Sequence, residues 1–372
     1  MVIQINPNQL AVWRTPRALQ IGIGSRPPIF ENISNPQEQV IAALYRGVSQ
    51  SQLEVICERV GLTSESLERL LKKLEPVLID DSRFPDHPPD FVATEPDTAD
   101  ARRASLRNSA SAEAVMRRRG MASVHLDSLG NSNFWLVFGL ARAGIGKVIC
   151  HDKAKVSILD SHKGGYPIES IGQPRIEAAR ERLQQAGLAT EIIDGFSVNE
   201  ATLNQISLGL LVAQFAVAPR NYARWLNRSV AHLAICFDAS GAWVSPVVVP
   251  GVSPCLGCRD QHQLDVNPHW PAIATQLISK KQKFDDWTTW SVAAGLASGL
   301  ILDYLDAAVR PSEATEATLG RPGYLIDSAT LGISEQTWSR DEDCECALFS
   351  ANNQFYLAGD ASVTRSQLLK VS

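Results

Sequence analysis

At 372 residues the chain is long enough for two domains, and 45% hydrophobic with 20% charged residues supplies ordinary packed cores. With 35 basic and 40 acidic residues the net charge is −5, which disfavours a general polyanion binder. The odd total of seven cysteines argues against a secreted disulfide framework. Met1 to Leu10 carries no charged-then-apolar targeting pattern. The longest uncharged apolar stretch, between Asp286 and Asp303, is too short and too rich in Gly and Ser to span a bilayer. A soluble, cytoplasmic protein is expected.

The first eighty residues read as a small module. β-like runs at Leu10–Trp13 and Leu19–Ile23 flank Arg14-Thr-Pro-Arg17, which suits a hairpin turn. Three helical patterns follow. Ile41, Leu44 and Tyr45 share one face, and Leu53, Ile56 and Val60 another. Leu67, Leu70, Leu71 and Leu74 come after a Thr63-Ser64 cap signal. Pro76 closes the third helix, and Val77–Ile79 reads as a short final strand. This order resembles a winged helix. Residues 1–80 hold eight Lys or Arg against eight Asp or Glu, whereas a DNA reader needs unopposed cations on phosphates. Peptide recognition by strand addition at the hairpin edge needs no net charge.

Residues 81–100 then hold six acids, one Arg and four prolines, and residues 101–120 hold six Arg and one Glu. Such blocks predict a partly disordered linker over 81–119. From Gly120 the pattern becomes strand (Ala122–Leu126), polar turn (Asp127–Asn133), apolar helix (Phe134–Ala143) and strand (Lys147–Cys150). Asp152 stands just past that second strand. This is the layout of a dinucleotide-type βαβ unit, with phosphates at the helix N-terminus and an acid roughly twenty residues on for a ribose. Gly130, Asn131 and Asp152 are its candidate nucleotide residues.

Ala141-Arg-Ala-Gly-Ile-Gly-Lys-Val148 followed by Asp152 resembles the ThiF, MoeB and HesA family, relatives of ubiquitin-activating enzymes. Gly172-Gln-Pro-Arg175 is similar to that family's Gly-x-Pro-Lys segment, and Pro250-Gly-x-x-Pro-Cys255-x-x-Cys258 to its zinc-binding approach. The helix Ser291–Leu305 and strand Tyr324–Asp327 match in order, so the resemblance spans residues 120–350. It implies an α/β, Rossmann-like ThiF-type domain with a mostly parallel sheet, followed by a tail over 351–372. The family's catalytic Arg maps near Lys163 and its Lys onto Arg175. These two are the catalytic candidates if the domain is active, and they would also contact ATP.

The departures are informative. Where adenylating members carry Gly-x-Gly-x-x-Gly, this chain reads Ser128-Leu-Gly-Asn-Ser-Asn133, with only the middle glycine kept. Both cationic positions hold the exchanged residue, and Arg and Lys are not equivalent phosphate ligands. The family's magnesium-holding Asp follows the fourth strand, but Leu208–Pro219 contains no acid. Magnesium cannot be held without oxygen ligands.

Cys255, Cys258, Cys344 and Cys346 form two close pairs that four-thiolate Zn²⁺ coordination would bring together, with disulfides or free thiols as the alternatives. Family resemblance favours a structural zinc. Cys57, Cys150 and Cys236 lie in apolar segments as small buried hydrophobes, a reactive thiolate being the alternative. His262 and His269 flank acids in a polar stretch, and His151 could line the nucleotide crevice. No Ser/His/Asp nucleophile motif, Walker loop or His-Glu-x-x-His occurs.

A winged-helix-like module ahead of a degenerate ThiF-like domain resembles the leader-peptide-binding partner proteins of ribosomal peptide pathways. It implies a peptide or small-protein client, a YcaO-type cyclodehydratase partner and a homodimer, with no nucleic acid or membrane. The competing expectation is ATP- and Mg²⁺-dependent adenylation of a protein or peptide C-terminus.

Overall fold

The computed structural model describes residues 2–23, 26–82, 84, 98–130, 132–162, 165–280, 282–307, 321–342, 344 and 346. The chain forms two compact units, Met1–Gly120 and Met121–Ser372. Among the described residues no helix is long and apolar enough to cross a membrane.

The first unit contains, in order, β1 (Val2–Ile3), β2 (Ala11–Thr15), β3 (Ala18–Ile21), β4 (Ile29–Phe30), α1 (Asn35–Arg46), β5 (Val48–Ser49), α2 (Gln50–Val60), α3 (Ser64–Leu74), α4 (Ala99–Asn108) and α5 (Ala112–Met121). Strands β2, β3 and β4 form an antiparallel sheet, and β1 pairs with β5. Helix α3 starts at the predicted Thr63-Ser64 cap. Ser49 accepts the Gln52 N–H in a capping box, and Thr63 accepts the Ser66 N–H. The helices' apolar faces meet the sheet in a core of Ile5, Leu19, Ile21, Val40, Leu44, Leu53, Leu70 and Leu74. The expected strand over Val77–Ile79 is instead a 3₁₀ turn at Glu75–Val77 followed by a single bridge from Leu78 to Ile5. Pro76 falls in the turn, where its missing N–H costs nothing, and the segment beyond it still pairs, the Asn6 N–H donating to the Val77 carbonyl and the Ile79 N–H to the Gln4 carbonyl, each at 2.9 Å.

The stretch read as a linker is also different. Most of its Pro/Asp-rich half lies outside the described residues, but its Arg-rich half folds as α4 and α5. Ala104, Ala110, Ala114 and Val115 pack with Phe84 in a small core. Asn6 Nδ2 donates to Ser105 Oγ at 2.8 Å, tying α4 to the N-terminal strand region. Arg118 lies with its guanidinium 5.0 Å from the Phe84 ring centroid. Composition counted the arginines; the alanines between them form the buried face.

The second unit runs β6 (Ser123–Leu126), α6 (Asn133–Arg142), β7 (Lys147–Cys150), α7 (Ile158–His162), α8 (Arg175–Gln185), β8 (Glu191–Asp194), α9 (Glu200–Leu203), β9 (Leu208–Gln214), α10 (Pro219–Asn227), β10 (His232–Asp238), β11 (Gly241–Val244), α11 (Leu256–Val266), α12 (Trp270–Ile278), α13 (Trp287–Ala307), β12 (Gly323–Asp327) and β13 (Ile333–Gln336). Its eight-stranded sheet has the order β13-β12-β11-β10-β9-β6-β7-β8. Strands β10, β9, β6, β7 and β8 are mutually parallel, and β11 to β13 extend the sheet antiparallel. The result is a mostly parallel Rossmann-like α/β domain. One face packs on Val137, Leu140, Ala297 and Ile301, from α6 and α13. The other packs on Tyr222, Trp225, Leu256 and Cys258, from α10 and α11. Parallel strands covered on both faces read as continuous apolar runs, as Leu208–Val212 does.

Gly209 on β9 has no side chain because the Trp225 indole lies against its backbone. Gly209→Ala is therefore expected to overpack that face and cost about 1–3 kcal/mol, measured by urea unfolding.

Candidate nucleotide crevice and metal centre

The sheet's winding direction reverses between β6 and β9, so the loops at their C-terminal ends flank the usual ligand crevice of an open α/β sheet. The loop from Asp127 to Ser132 leads into α6 there, and Asp152 follows β7. Asp152 is buried, and both its oxygens are engaged from within the chain. Oδ1 accepts the Ala154 N–H at 2.8 Å. Oδ2 accepts the Leu129 N–H at 2.8 Å, the Ser128 hydroxyl at 3.2 Å and Arg175 Nη1 at 3.3 Å. The Gly130 N–H donates to Ser128 Oγ at 3.1 Å. Two backbone donors of the kind a phosphate takes are thus turned onto Asp152 and Ser128.

Arg175 opens α8 and reaches back across this loop. Its Nη2 and Nε lie 2.9 and 3.2 Å from Asp160 Oδ2. The guanidinium rests directly against Gly130, where any Cβ would collide with it. This contact accounts for the one glycine of the motif that survives. Asn131 and Lys163 lie outside the described residues. The structure brings Gly130, Asp152 and Arg175 together, and it adds Asp160, which motif reading missed because it falls in a short helix without a signature.

Strand β9 ends at Gln214, with no acid on it, and Phe215 follows in the left-handed region at φ 66°. A carboxylate nevertheless arrives from a distant segment. Asp285 Oδ2 accepts the Ser132 hydroxyl at 3.2 Å, and Oδ1 lies 3.4 Å from Gln214 Nε2. Asp285 lies 71 residues downstream of Gln214, ahead of α13, so no local pattern pointed to it. Ser157, Asp160, Arg175, Lys283 and Asp285 line a cavity of about 410 Å³ beside the crevice.

The two cysteine pairs converge. Cys255 Sγ lies 3.9 Å from Cys258 Sγ and 3.5 Å from Cys344 Sγ, and Cys258 Sγ lies 3.4 Å from Cys346 Sγ. Four thiolates at about 2.3 Å from a tetrahedral ion would sit about 3.8 Å apart, so the cluster fits a metal such as zinc. Gly257 lies in the first turn of α11, and a Cβ there would stand 3.5 Å from Cys344 Sγ. Trp338 Nε1 donates to the Cys255 carbonyl at 2.9 Å, fixing the C-terminal approach to the site. Burial pushes the Cys255 thiol up, and that of Cys346 up to about 12. A cation offsets that burial cost. The other three cysteines are buried, and burial raises each thiol, Cys236 to about 12. None has the exposure or the depressed pKa of a nucleophile.

His151 does not line the crevice. Its Nδ1 lies 2.7 Å from His125 Nε2 on the α10 face of the sheet, beneath Trp225. Burial lowers the His125 pKa to about 3, so that ring is neutral. His262 meets Ser339 and His269 is exposed. Neither joins a metal-competent cluster among the described residues.

Two outcomes follow from this geometry. Arg175→Leu removes the buried partner of Asp152 and Asp160, and is expected to cost on the order of 3 kcal/mol in urea unfolding, with Arg175→Lys milder. Native mass spectrometry is expected to find one metal ion per chain, lost in Cys258→Ser. The Tm of that variant should fall by about 2–4 °C for each kcal/mol of metal-dependent stability removed.

No family model matches the chain, and no curated protein matches it in sequence. Solved structures do. E. coli MccB with ATP aligns at a TM-score of 0.62 and 15% identity, over 93% of this chain and 99% of that one. E. coli MccB with MccA-N7isoASN aligns at 0.63 and 14%, over 93% and 100%. PaaA aligns at 0.52 and 14%, over 75% and 91%. At 93% coverage, the chain has the ThiF-like fold of MccB.

Proposed function

We propose that this chain is a ThiF-like adaptor of ribosomal peptide maturation, which binds a peptide or small-protein client and presents it to a partner modifying enzyme without activating the client itself. The observation that carries the reading is the self-saturated crevice. Asp152 spends both oxygens on the protein, the Leu129 N–H donates to Asp152 and the Gly130 N–H to Ser128, and Arg175 lies against Gly130. ATP would have to displace a buried ion pair to reach the ribose and phosphate positions. The donor set does not suit magnesium either, since β9 ends in Gln214, and Asp285 already accepts from Ser132. The crevice residues therefore do not fit a magnesium-bound nucleotide.

Support for a peptide client comes from MccB, which has been solved in complex with N-formylated MccA. The first unit offers the means of capture, a small sheet whose edge can accept an extended chain. The four-cysteine cluster, read as structural zinc, holds Cys344 and Cys346 against α11 and leaves no coordination position open for chemistry. A homodimer and a YcaO-type cyclodehydratase as the receiving enzyme complete the proposal.

One observation favours the competing reading, adenylation of a client C-terminus. Asp285 brings a carboxylate to the end of β9, where the local sequence has none. Fluorescent ATP with Mg²⁺ separates the two. The adaptor is expected to show no saturable binding tighter than roughly 1 mM, or about −4 kcal/mol. Tight binding abolished by Asp152→Ala, with ATP–pyrophosphate exchange in the presence of a peptide client, would overturn the adaptor reading.

A further inference from the structure

Three helices of the second unit turn side chains toward one another without filling the space between them. Tyr222 and Leu226 on α10, Asp260 and Leu264 on α11, and Trp270, Ala274 and Ile278 on α12 border a cavity of about 670 Å³. Within each helix these residues are four apart, the repeat that lines up one face. No residue of α12 is buried, although Trp270–Ile278 is mostly apolar. A helix of that composition ordinarily buries a face, and here the face it offers borders the cavity. The cavity shares no lining residue with the one beside the nucleotide crevice.

Among the described residues that line it there is no Lys, Arg or His, and Asp260 is the one carboxylate. An ionised carboxylate offers about four acceptor positions. Asp260 fills two of them, and loosely. The Tyr222 hydroxyl donates to Oδ2 and Trp270 Nε1 to Oδ1, both at 3.4 Å. Arg259 Nη1 stands 3.9 Å from Oδ1, beyond hydrogen-bond reach, and its guanidinium is stacked 3.9 Å from the Trp243 ring centroid. Hydrogen bonds between ionised partners run to about 2.7–2.9 Å, so Asp260 has no full cationic partner in the chain.

An under-satisfied carboxylate on an otherwise apolar wall selects its ligand by sign and by shape. A positively charged donor gains a short hydrogen bond that neither Tyr222 nor Trp270 provides, whereas an anion meets only like charge. Leu226, Leu264, Ala274 and Ile278 reward a hydrocarbon body on the same molecule. Size narrows the source. Cavities of about 300–1,000 Å³ take whole small molecules, and one lysine or arginine side chain would leave most of this volume empty.

We propose that the cavity between α10, α11 and α12 is a binding site for a small organic cation, an amine or guanidinium on an apolar body, held through Asp260. Asp260 supplies the charge, Tyr222 and Trp270 steady its two oxygens, and the Trp270, Ala274 and Ile278 face of α12 covers the apolar body. The site uses no residue of the nucleotide crevice or of the first unit, so it stands apart from the adaptor reading.

The test is isothermal titration calorimetry on the full-length, zinc-supplemented chain with three probes of one shape, 4-phenylbutylamine, 4-phenylbutanol and 4-phenylbutyrate. The amine is expected to bind saturably, the alcohol about tenfold or more weakly, and the carboxylate not at all. Asp260→Asn is expected to bring the amine down to the level of the alcohol while the alcohol is unchanged. Ala274→Trp, which fills the cavity from α12 and lies far from the cysteines in sequence, is expected to abolish both. The ratio of amine to alcohol on the unaltered chain, together with Ala274→Trp, decides the matter even where Asp260→Asn does not fold. Amine and alcohol that bind alike, a preference that survives Asp260→Asn or Ala274→Trp, or no binding by any probe overturns the inference. So does tighter binding of N-acetyl-Phe-Lys-amide than of the free amine, which would mark a partner's side chain as the occupant. The adaptor reading is untouched by each of these results, since it is tested by nucleotide binding at another site.

Discussion

The ion-pair cluster that Arg175 makes with Asp152 and Asp160 is the interaction on which the second unit's character depends. It joins the ends of three elements, since Asp152 follows β7, Asp160 lies in α7 and Arg175 opens α8. Through Ser128 and Leu129 it also fixes the loop between β6 and α6. Burying such a cluster is favourable only when the charges are mutually satisfied and the remaining lone pairs are taken. The backbone N–H groups of Leu129 and Ala154 meet that condition for Asp152. The Leu129 N–H lies in the loop that enters α6, so satisfying the cluster internally and binding an anion there would compete for that donor.

That competition links structure to the proposed role. A glycine loop that offers free N–H groups is poised for phosphates, whereas here Asp152 and Ser128 take them. The eight-stranded sheet, its two covered faces and the cysteine cluster are built as a stable scaffold, with the four thiols tying the C-terminal segment to α11. The unit has a Rossmann-like architecture in which the crevice donors bond to the protein's own side chains.

Much of this was legible in the residues. Helical spacing marked the apolar faces of α1, α2 and α3, and a cap signal the start of α3, because local propensity and burial agree there. The strand–loop–helix–strand order after Gly120 and the position of Asp152 followed from periodicity and spacing. Where reading failed, two different physical causes were at work. Arginine counting concealed the alanine faces of α4 and α5, because a buried stripe of small residues leaves little hydrophobic signal. The expected strand at Val77–Ile79 shortened to a single bridge with Ile5, because the chain is still leaving the 3₁₀ turn around Pro76 there.

The sequence by itself determined the elements, the broken glycine motif and the four cysteines with metal-ligand spacing, since these depend on residue type and short-range separation. Only the tertiary structure decided what meets in the crevice. Asp160 and Asp285 carry no motif, and Asp285 reaches Gln214 across 71 residues of chain. That Arg175 would turn onto Gly130 rather than outward is likewise invisible in a list of residues. It follows from packing three buried charges together, where each needs the others' partners, and such long-range mutual satisfaction has no local signature.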